Sequence, residues 1–106
     1  MMAELLFVYG SLKSGESGHG VLLKANARLI GEAETIQKFM LIELDDYPAA
    51  IPSSKGVTLK GELYEVEDIS IIDDYEDVPY LYERVKVRVS CKGREFQAWM
   101  YIAKRA

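Results

Sequence analysis

The sequence is poor in the residues that build disulfides and metal sites. Its 106 residues include one cysteine, Cys91, and one histidine, His19. A single thiol excludes an internal disulfide and a multi-thiolate metal centre, and it favours a reducing compartment. Because only one imidazole is available as well, we expect no zinc or other metal site.

Basic clusters and long apolar runs are also missing. The 13 lysine and arginine residues are scattered and are outnumbered by 17 acidic residues, which gives a formal net charge of −4. This argues against a nucleic acid as the main partner. No apolar run is long enough to span a membrane, and the first residues lack the basic segment of a signal peptide. We therefore expect a cytoplasmic protein that binds neither nucleic acid nor membrane.

No linker, repeat or low-complexity segment divides the chain, so its length predicts a single domain over residues 1–106. Alternating apolar residues or short apolar runs predict most of it to be strands. Lys92-Gly93 between the last two strands is typical of a hairpin turn. The predicted strands are Leu5–Tyr9, Ala27–Gln37, Phe39–Leu44, Val57–Val66, Tyr82–Cys91 and Glu95–Ile102.

Glycines inside two of these strands indicate how the sheet is shaped. Gly31 and Gly61 each interrupt an alternating pattern, and a glycine within a strand marks a bulge or a close approach of backbone. Such positions suit tight curvature. The predicted fold is therefore an α+β domain, a small and mostly antiparallel β-barrel of five or six strands with two short helices. One helix is expected to begin near Ser17 or Gly18, and Asp45–Pro48 is expected to form a turn.

The first strand runs into a glycine-rich loop. Leu5–Tyr9 is followed by Gly10 and then by the polar residues from Ser11 to Gly20. A strand that ends in such a loop presents unpaired backbone N–H groups that a ligand can reach. The alternative is a plain tight turn with no ligand.

A second helix is predicted between Asp68, a suitable N-cap, and Pro79, which ends it. At about 100° per residue, its apolar face consists of Ile69, Ile71, Ile72 and Tyr75.

Glu76 falls on this apolar face, between Ile69 and Ile72. Burial there would raise the pKa of its carboxyl group, and a raised pKa is what a general acid or base needs near neutral pH. In the alternative, the last turn of the helix frays and Glu76 bends to water or pairs with Arg84. Arg84 itself is expected to pair with an acid of the Asp73–Asp77 cluster.

Three stretches together resemble a known family. In this order and spacing they are similar to the γ-glutamylcyclotransferase-like (AIG2-like) superfamily, and the resemblance extends from about Leu6 to Tyr101. The stretches are Tyr9-Gly10-Ser11-Leu12, Gly61-Glu62-Leu63-Tyr64-Glu65-Val66 and Asp73-x-x-Glu76-x-x-Pro79-x-x-Tyr82-x-Arg84.

The resemblance implies a barrel with a cavity at one end and a cofactor-independent reaction. The substrate's α-amine attacks its own γ-carbonyl, which closes 5-oxoproline and releases an amine or amino acid. By the same match, Glu76 is the catalytic residue. The residues implied to bind the small γ-glutamyl substrate are Tyr9, Gly10, Ser11, Leu12 and Tyr82. The family often has glycine after the catalytic glutamate, where this chain has Asp77.

Other interpretations stay open from the sequence. In one alternative, the chain is a non-catalytic binding module that keeps the cavity. The hydroxyl group of Tyr9 faces either ligand or core, and Ser11 either binds substrate or stabilises its turn. Tyr82 is either a ligand contact or plain barrel wall. His19 is expected to be an exposed loop residue. Trp99 is expected in the core, and Cys91 is expected to be a small apolar filler. The sequence identifies neither the leaving group nor the oligomeric state.

Overall fold

A computed structural model describes residues 3–10, 19–44, 47–76, 78 and 81–104. Within these ranges the chain forms seven strands and two short helices. In chain order they are β1 (Glu4–Val8), α1 (Gly20–Lys24), β2 (Ala27–Thr35), β3 (Phe39–Leu44), β4 (Tyr47–Pro52), β5 (Lys60–Val66), α2 (Ile69–Tyr75), β6 (Tyr82–Cys91) and β7 (Arg94–Ala103). Neither helix has the length or the apolar character needed to cross a membrane.

Five strands close a barrel in the order β1-β5-β2-β6-β7. Its strand pairs are antiparallel except where β1 meets β7, with Leu6 opposite Trp99. This confirms the predicted small, mostly antiparallel barrel with two short helices. The structure adds a separate two-stranded sheet, in which β3 and β4 pair from Phe39↔Pro52 to Leu44↔Tyr47.

The β3–β4 sheet corrects the predicted turn at Asp45–Pro48. Tyr47 and Pro48 are the first two residues of β4 rather than part of a turn, and residues 45–46 lie outside the described part of the chain. Proline signals a turn in sequence, yet it also fits the start of a strand at a sheet edge, because no ladder hydrogen bond is needed there.

The barrel has one buried cluster inside and another on its outer surface, because successive side chains of a strand point to opposite faces. Leu6 and Val8 belong to a cluster that includes Leu22 of α1 and Ile72 of α2, so this cluster lies between the barrel wall and the helices. Phe7 belongs to the other cluster, which fills the barrel with residues such as Leu63, Val89, Met100 and Ile102. Cys91 is buried in this second cluster, as expected of a small apolar filler.

The glycine and hairpin predictions are confirmed. The β2–β5 register shifts between Leu29 and Gly31, which is a β-bulge. A side chain at Gly61 would overlap the Val8 carbonyl oxygen, so this strand passes very close to β1. Lys92 and Gly93 have φ values of 52° and 77°, which two-residue hairpin turns of type I′ require.

The start of β5 and the exposure of Tyr75 differ from the prediction. β5 begins at Lys60 rather than Val57, because Val57 is 64% exposed and forms only an isolated bridge with Phe39. α1 begins at Gly20, and the predicted start at residues 17–18 lies outside the described residues. Tyr75 was predicted to face the core but is 51% exposed, because α2 is short and contacts the barrel through a narrow stripe centred on Ile72.

Candidate active site

Helix α2 places Glu76 directly after its last turn. Asp68 is the predicted N-cap, and its side chain accepts a hydrogen bond from the Ser70 N–H at 3.2 Å. The helix ends at Tyr75 rather than at Pro79, so Glu76 is its C-cap. Its N–H donates to the Ile72 carbonyl at 2.9 Å.

A Schellman-type bond closes this end of the helix. The Val78 N–H donates to the Asp73 carbonyl at 3.0 Å, so the backbone loops back around the segment that carries Glu76. Residue 77, where the family often has glycine, lies outside the described residues.

The Glu76 side chain is partly buried and carries the expected electrostatic perturbation. Desolvation raises the pKa of its carboxyl group from an ordinary 4.5 to about 7. No side chain in the described part of the chain pairs with this carboxylate. The alternative of an ion pair with Arg84 does not occur, because the Arg84 Nε donates to Asp73 Oδ1 at 2.9 Å. The predicted pairing of Arg84 with the acidic cluster is thereby confirmed.

Tyr9, at the end of β1, uses its hydroxyl group within the protein. It donates to the Tyr101 carbonyl oxygen at 2.6 Å and accepts from the Ala50 N–H at 3.1 Å. Burial raises the pKa of Tyr9 strongly; the bond from Ala50 opposes this, and the charges of Tyr82 and Glu76 add to it. Tyr82 and Glu76 therefore lie close enough to Tyr9, at the end of β1, to interact with it electrostatically.

Tyr101 completes the cluster and was not singled out as a site residue from the sequence. Its hydroxyl group donates to Asp73 Oδ1 at 2.7 Å, and its side chain is buried. Burial raises the pKa of Tyr101. The hydrogen bond to Asp73 and the negative charges of Asp73 and Glu76 raise it further, whereas the positive charge of Arg84 lowers it. The alternating sequence of β7 predicts that Tyr101 and Trp99 share one face of the strand. It does not predict which helix covers that face, so Tyr101 could not be recognised as a neighbour of Glu76.

The glycine-rich loop begins beside this cluster. Gly10 has a φ of 75°, in the left-handed region that favours glycine. No heavy atom of the described residues would lie within 4 Å of a Cβ built there, so this part of the chain leaves space beside Gly10. Ser11 and Leu12 lie outside the described residues. Tyr82 is buried in the outer cluster with Tyr101.

The remaining candidate residues lie further from Glu76 or differ from expectation. His19 is half-buried rather than exposed, because its ring packs 6.0 Å from that of Tyr64. Trp99 is only partly buried. Its Nε1 donates to Glu4 at 2.8 Å, and Arg84 lies over its ring at 4.2 Å. Among the described residues, no group of three or more potential ligands is arranged to hold a metal ion.

Comparison with known proteins identifies the family. The model of the family described as "Gamma-glutamyl cyclotransferase, AIG2-like" matches residues 6–106. The chain belongs to this family of enzymes. The match begins within β1 and includes α2 and both strands of the β6–β7 hairpin, and it confirms the resemblance inferred from the sequence motifs.

Individual members of this γ-glutamylcyclotransferase-like family are similar in sequence and in fold. The provisionally named γ-glutamylcyclotransferase MJ1514 of Methanocaldococcus jannaschii is 36% identical over 101 residues, which cover 92% of this chain and 82% of that protein. The γ-glutamylaminecyclotransferase of Mus musculus is 34% identical over 94 residues, 79% of this chain and 62% of that protein. The crystal structure of an AIG2-like protein from Mus musculus superposes with a TM-score of 0.87 at 30% identity and covers 97% of this chain and 78% of its own.

We expect the Tyr9 hydroxyl group of this γ-glutamylcyclotransferase-like enzyme to stabilise the fold. In a Tyr9→Phe variant the Ala50 N–H and the Tyr101 carbonyl lose their partner in a half-buried setting, which should lower the free energy of unfolding by about 1–3 kcal/mol. Urea denaturation measures this. Tyr75→Phe, which removes the hydroxyl group of an exposed tyrosine, is the control and should change stability little. Equal stability of the two variants would contradict the structural role of Tyr9.

Proposed function

We propose that this enzyme catalyses intramolecular aminolysis of a γ-glutamyl amine, amino acid or isopeptide, releasing 5-oxoproline and the free amine, with Glu76 as the acid–base residue. The observation that carries the proposal is the position of one carboxyl group. Burial raises the pKa of Glu76 to about 7, and the group lies within electrostatic reach of Tyr9 at the mouth of the Gly10 loop.

The chemistry requires one group that first accepts a proton and then gives it up. The substrate's α-ammonium must lose a proton before its nitrogen can attack the γ-carbonyl carbon. The C–N bond to the leaving group then breaks, and the departing nitrogen must gain a proton. A carboxylate with a pKa near neutrality can do both in turn.

Ring closure is already unimolecular, so the protein contributes mainly orientation and charge stabilisation. Backbone N–H groups of the loop from Gly10 to Leu12 suit the developing oxyanion and the substrate's α-carboxylate. In this proposal Tyr82 lines the cavity, whereas Tyr9 shapes its wall and keeps its hydroxyl group on Ala50 and Tyr101. The reaction needs no cofactor, since neither a redox step nor a covalent nucleophile is involved.

The names of the relatives support a γ-glutamyl substrate, and they are consistent with more than one leaving group. One relative is named a γ-glutamylaminecyclotransferase, and another, from Niallia circulans and 30% identical, is named for γ-L-glutamyl-butirosin B. Both names describe a γ-glutamyl compound, and they differ in the group to which the γ-glutamyl group is joined.

The test is release of 5-oxoproline from a panel of γ-glutamyl amino acids, γ-glutamyl amines and γ-glutamyl-ε-lysine. Turnover of any member supports the proposal, and the preferred member identifies the leaving group. If no member reacts but one raises the melting temperature, the cavity binds γ-glutamyl compounds without turning them over, and the catalytic proposal fails. Neither turnover nor a thermal shift would overturn both parts of the proposal.

The pH dependence of the reaction should follow the ionisation of Glu76. Because a general base must be deprotonated, we expect kcat/KM to rise about tenfold per pH unit on the acid side and to level off above about pH 7. Steady-state assays from pH 5 upward measure this, with circular dichroism at each pH as a check on folding. A flat profile between pH 5 and 7, or an acid limb near the ordinary glutamate pKa, would contradict the role of Glu76.

A further inference from the structure

Asp73 makes three contacts around Glu76. Its carboxylate oxygen Oδ1 accepts from the Arg84 Nε at 2.9 Å and from the Tyr101 hydroxyl group at 2.7 Å. Its main-chain carbonyl accepts from the Val78 N–H at 3.0 Å. The side chains of Asp73 and Arg84 are only 20% and 23% exposed, so this ion pair is well shielded from water.

These contacts fix the segment that carries Glu76 on both sides. The side-chain bonds tie the last turn of α2 to β6 through Arg84 and to β7 through Tyr101. The main-chain bond closes the backbone just after Glu76. Tyr101 also accepts the Tyr9 hydroxyl bond through its carbonyl, so one strand residue connects the helix end to the start of the Gly10 loop.

We propose that Asp73 is a positioning residue for Glu76. Clamped to Tyr101 and Arg84, it holds the last turn of α2 against the barrel at the distance from the Gly10 loop that the reaction needs. Because Asp73 pairs with Arg84, neither of these two charges acts on Glu76 without the opposite charge beside it. This inference rests on the proposed function and adds to it a residue that does not touch the substrate.

The charges and titratable groups around Glu76 come from four elements. Tyr9 follows β1, Tyr82 and Arg84 lie on β6, Tyr101 lies on β7, and Asp73 lies on α2 itself. Burial raises the pKa of Tyr9 and Tyr101, so both stay neutral at working pH. Asp73 and Arg84 are the charged groups among these residues, and in this inference their balance sets the charge that Glu76 experiences.

The acid limb of the pH–rate profile is the range in which kcat/KM rises with pH. Removing Asp73 or Arg84 one at a time should move this limb in opposite directions. Asp73→Asn leaves the Arg84 cation unpaired, which favours ionised Glu76 and shifts the limb to lower pH by roughly half to one unit. Arg84→Gln leaves the Asp73 carboxylate unpaired and shifts the limb to higher pH by a similar amount. The double variant should return the limb to near its original position. A purely structural role would lower stability in both single variants without this opposition in sign.

The positioning role has a separate readout in Tyr101→Phe, which removes one bond to Asp73 and changes no charge. We expect kcat to fall roughly tenfold, because small displacements of a catalytic group are costly, with the acid limb unmoved. The control is Arg28→Gln, which breaks the 2.8 Å ion pair between Arg28 and Glu65 on exposed parts of β2 and β5. It should change neither kcat nor the limb.

The titration of Glu76 can also be measured without turnover. Its carboxyl carbon is followed by NMR in protein labelled with ¹³C-glutamate and is assigned by its loss in Glu76→Gln. Opposite shifts in Asp73→Asn and Arg84→Gln support the inference; shifts of the same sign, or none, overturn it. If the wild type turns over no γ-glutamyl compound, the proposed function fails, while the NMR titration still tests Asp73.

Discussion

Replacing Glu76 by glutamine is expected to lower 5-oxoproline release roughly 10²- to 10⁴-fold, which is the usual contribution of a positioned general acid–base group. Glutamine keeps the size and the hydrogen-bonding ability of the side chain but cannot take a proton from the substrate's ammonium group. Because the side chain has no partner among the described residues, the substitution breaks no ion pair within that part of the chain. The loss should therefore appear in kcat with little change in KM.

The same variant should be more stable than the wild type above pH 7. The folded protein holds the Glu76 proton with a pKa of about 7, whereas the ordinary value is 4.5. Between these two values the unfolded state binds fewer protons than the folded state, so the free energy of unfolding of the wild type falls as pH rises. Glutamine avoids this cost. We expect a gain of up to about 3 kcal/mol at pH 8 and little difference below pH 4.

Urea denaturation at pH 4 and pH 8, run beside the substrate assay, measures both effects. Asp74→Asn is the matched control, since it neutralises an exposed acid two residues away on the same helix. It should change neither turnover nor the pH dependence of stability. A Glu76→Gln variant with full activity would exclude the proposed base. An inactive variant whose stability relative to the wild type is the same at pH 4 and pH 8 would show that the pKa of Glu76 is not raised in the folded protein.

The combined result would show that catalytic ability at this position is obtained at the expense of stability. A carboxylate held in a partly desolvated setting disfavours the folded state at neutral pH, and the same desolvation makes it a suitable base. Asp73 lies three residues earlier, and its Oδ1 is by contrast paired with Arg84 and Tyr101. An acid of the helix and the acid at its C-cap thus have opposite environments, which fits the proposed division between a reacting group and a positioning one.

The parts of the fold that could be predicted from the sequence are those that depend on local chemistry. Gly31 as a bulge, Lys92-Gly93 as a hairpin turn and Asp68 as a cap each follow from one residue's conformational or hydrogen-bonding preference. The pairing of β3 with β4 and the parallel contact of β1 with β7 could not be predicted, because they depend on residues far apart in sequence. Tyr75 was misassigned since the width of a helix's buried stripe is set by what packs against it.

The same division applies to the site. Glu76 stood out because an acid on an apolar stripe is a local anomaly, and burial raises its pKa even though the helix ends one residue before it. The partners of Tyr9 and the bond from Tyr101 to Asp73 could not be identified in this way. Tyr9 bonds to Tyr101 and Ala50, 92 and 41 positions away, and only the folded barrel brings these groups together.

Adding a methyl group at Gly61 is expected to destabilise the protein by about 3 kcal/mol, the upper part of the usual cost of overpacking. A Cβ at this position would overlap the Val8 carbonyl oxygen and would lie 2.8 Å from Cζ of Phe7. The carbonyl is main chain within the β1–β5 ladder, where Val8 pairs with Glu62, so it cannot move without breaking strand contacts. β1 would have to shift, and with it Tyr9 and Gly10 at its end.

Gly31→Ala is the matched control for Gly61→Ala, because both glycines lie inside strands and gain the same methyl group. At Gly31 the closest atom to a new Cβ is Cε of Lys92 at 2.8 Å, the flexible end of a side chain that can swing away. We therefore expect a change within about 1 kcal/mol there. Urea denaturation of both variants, with unchanged m values, gives the comparison. Gly61→Ala should also lose activity because β1 carries the Gly10 loop; equal stability of the two variants would contradict the close approach of β5 to β1.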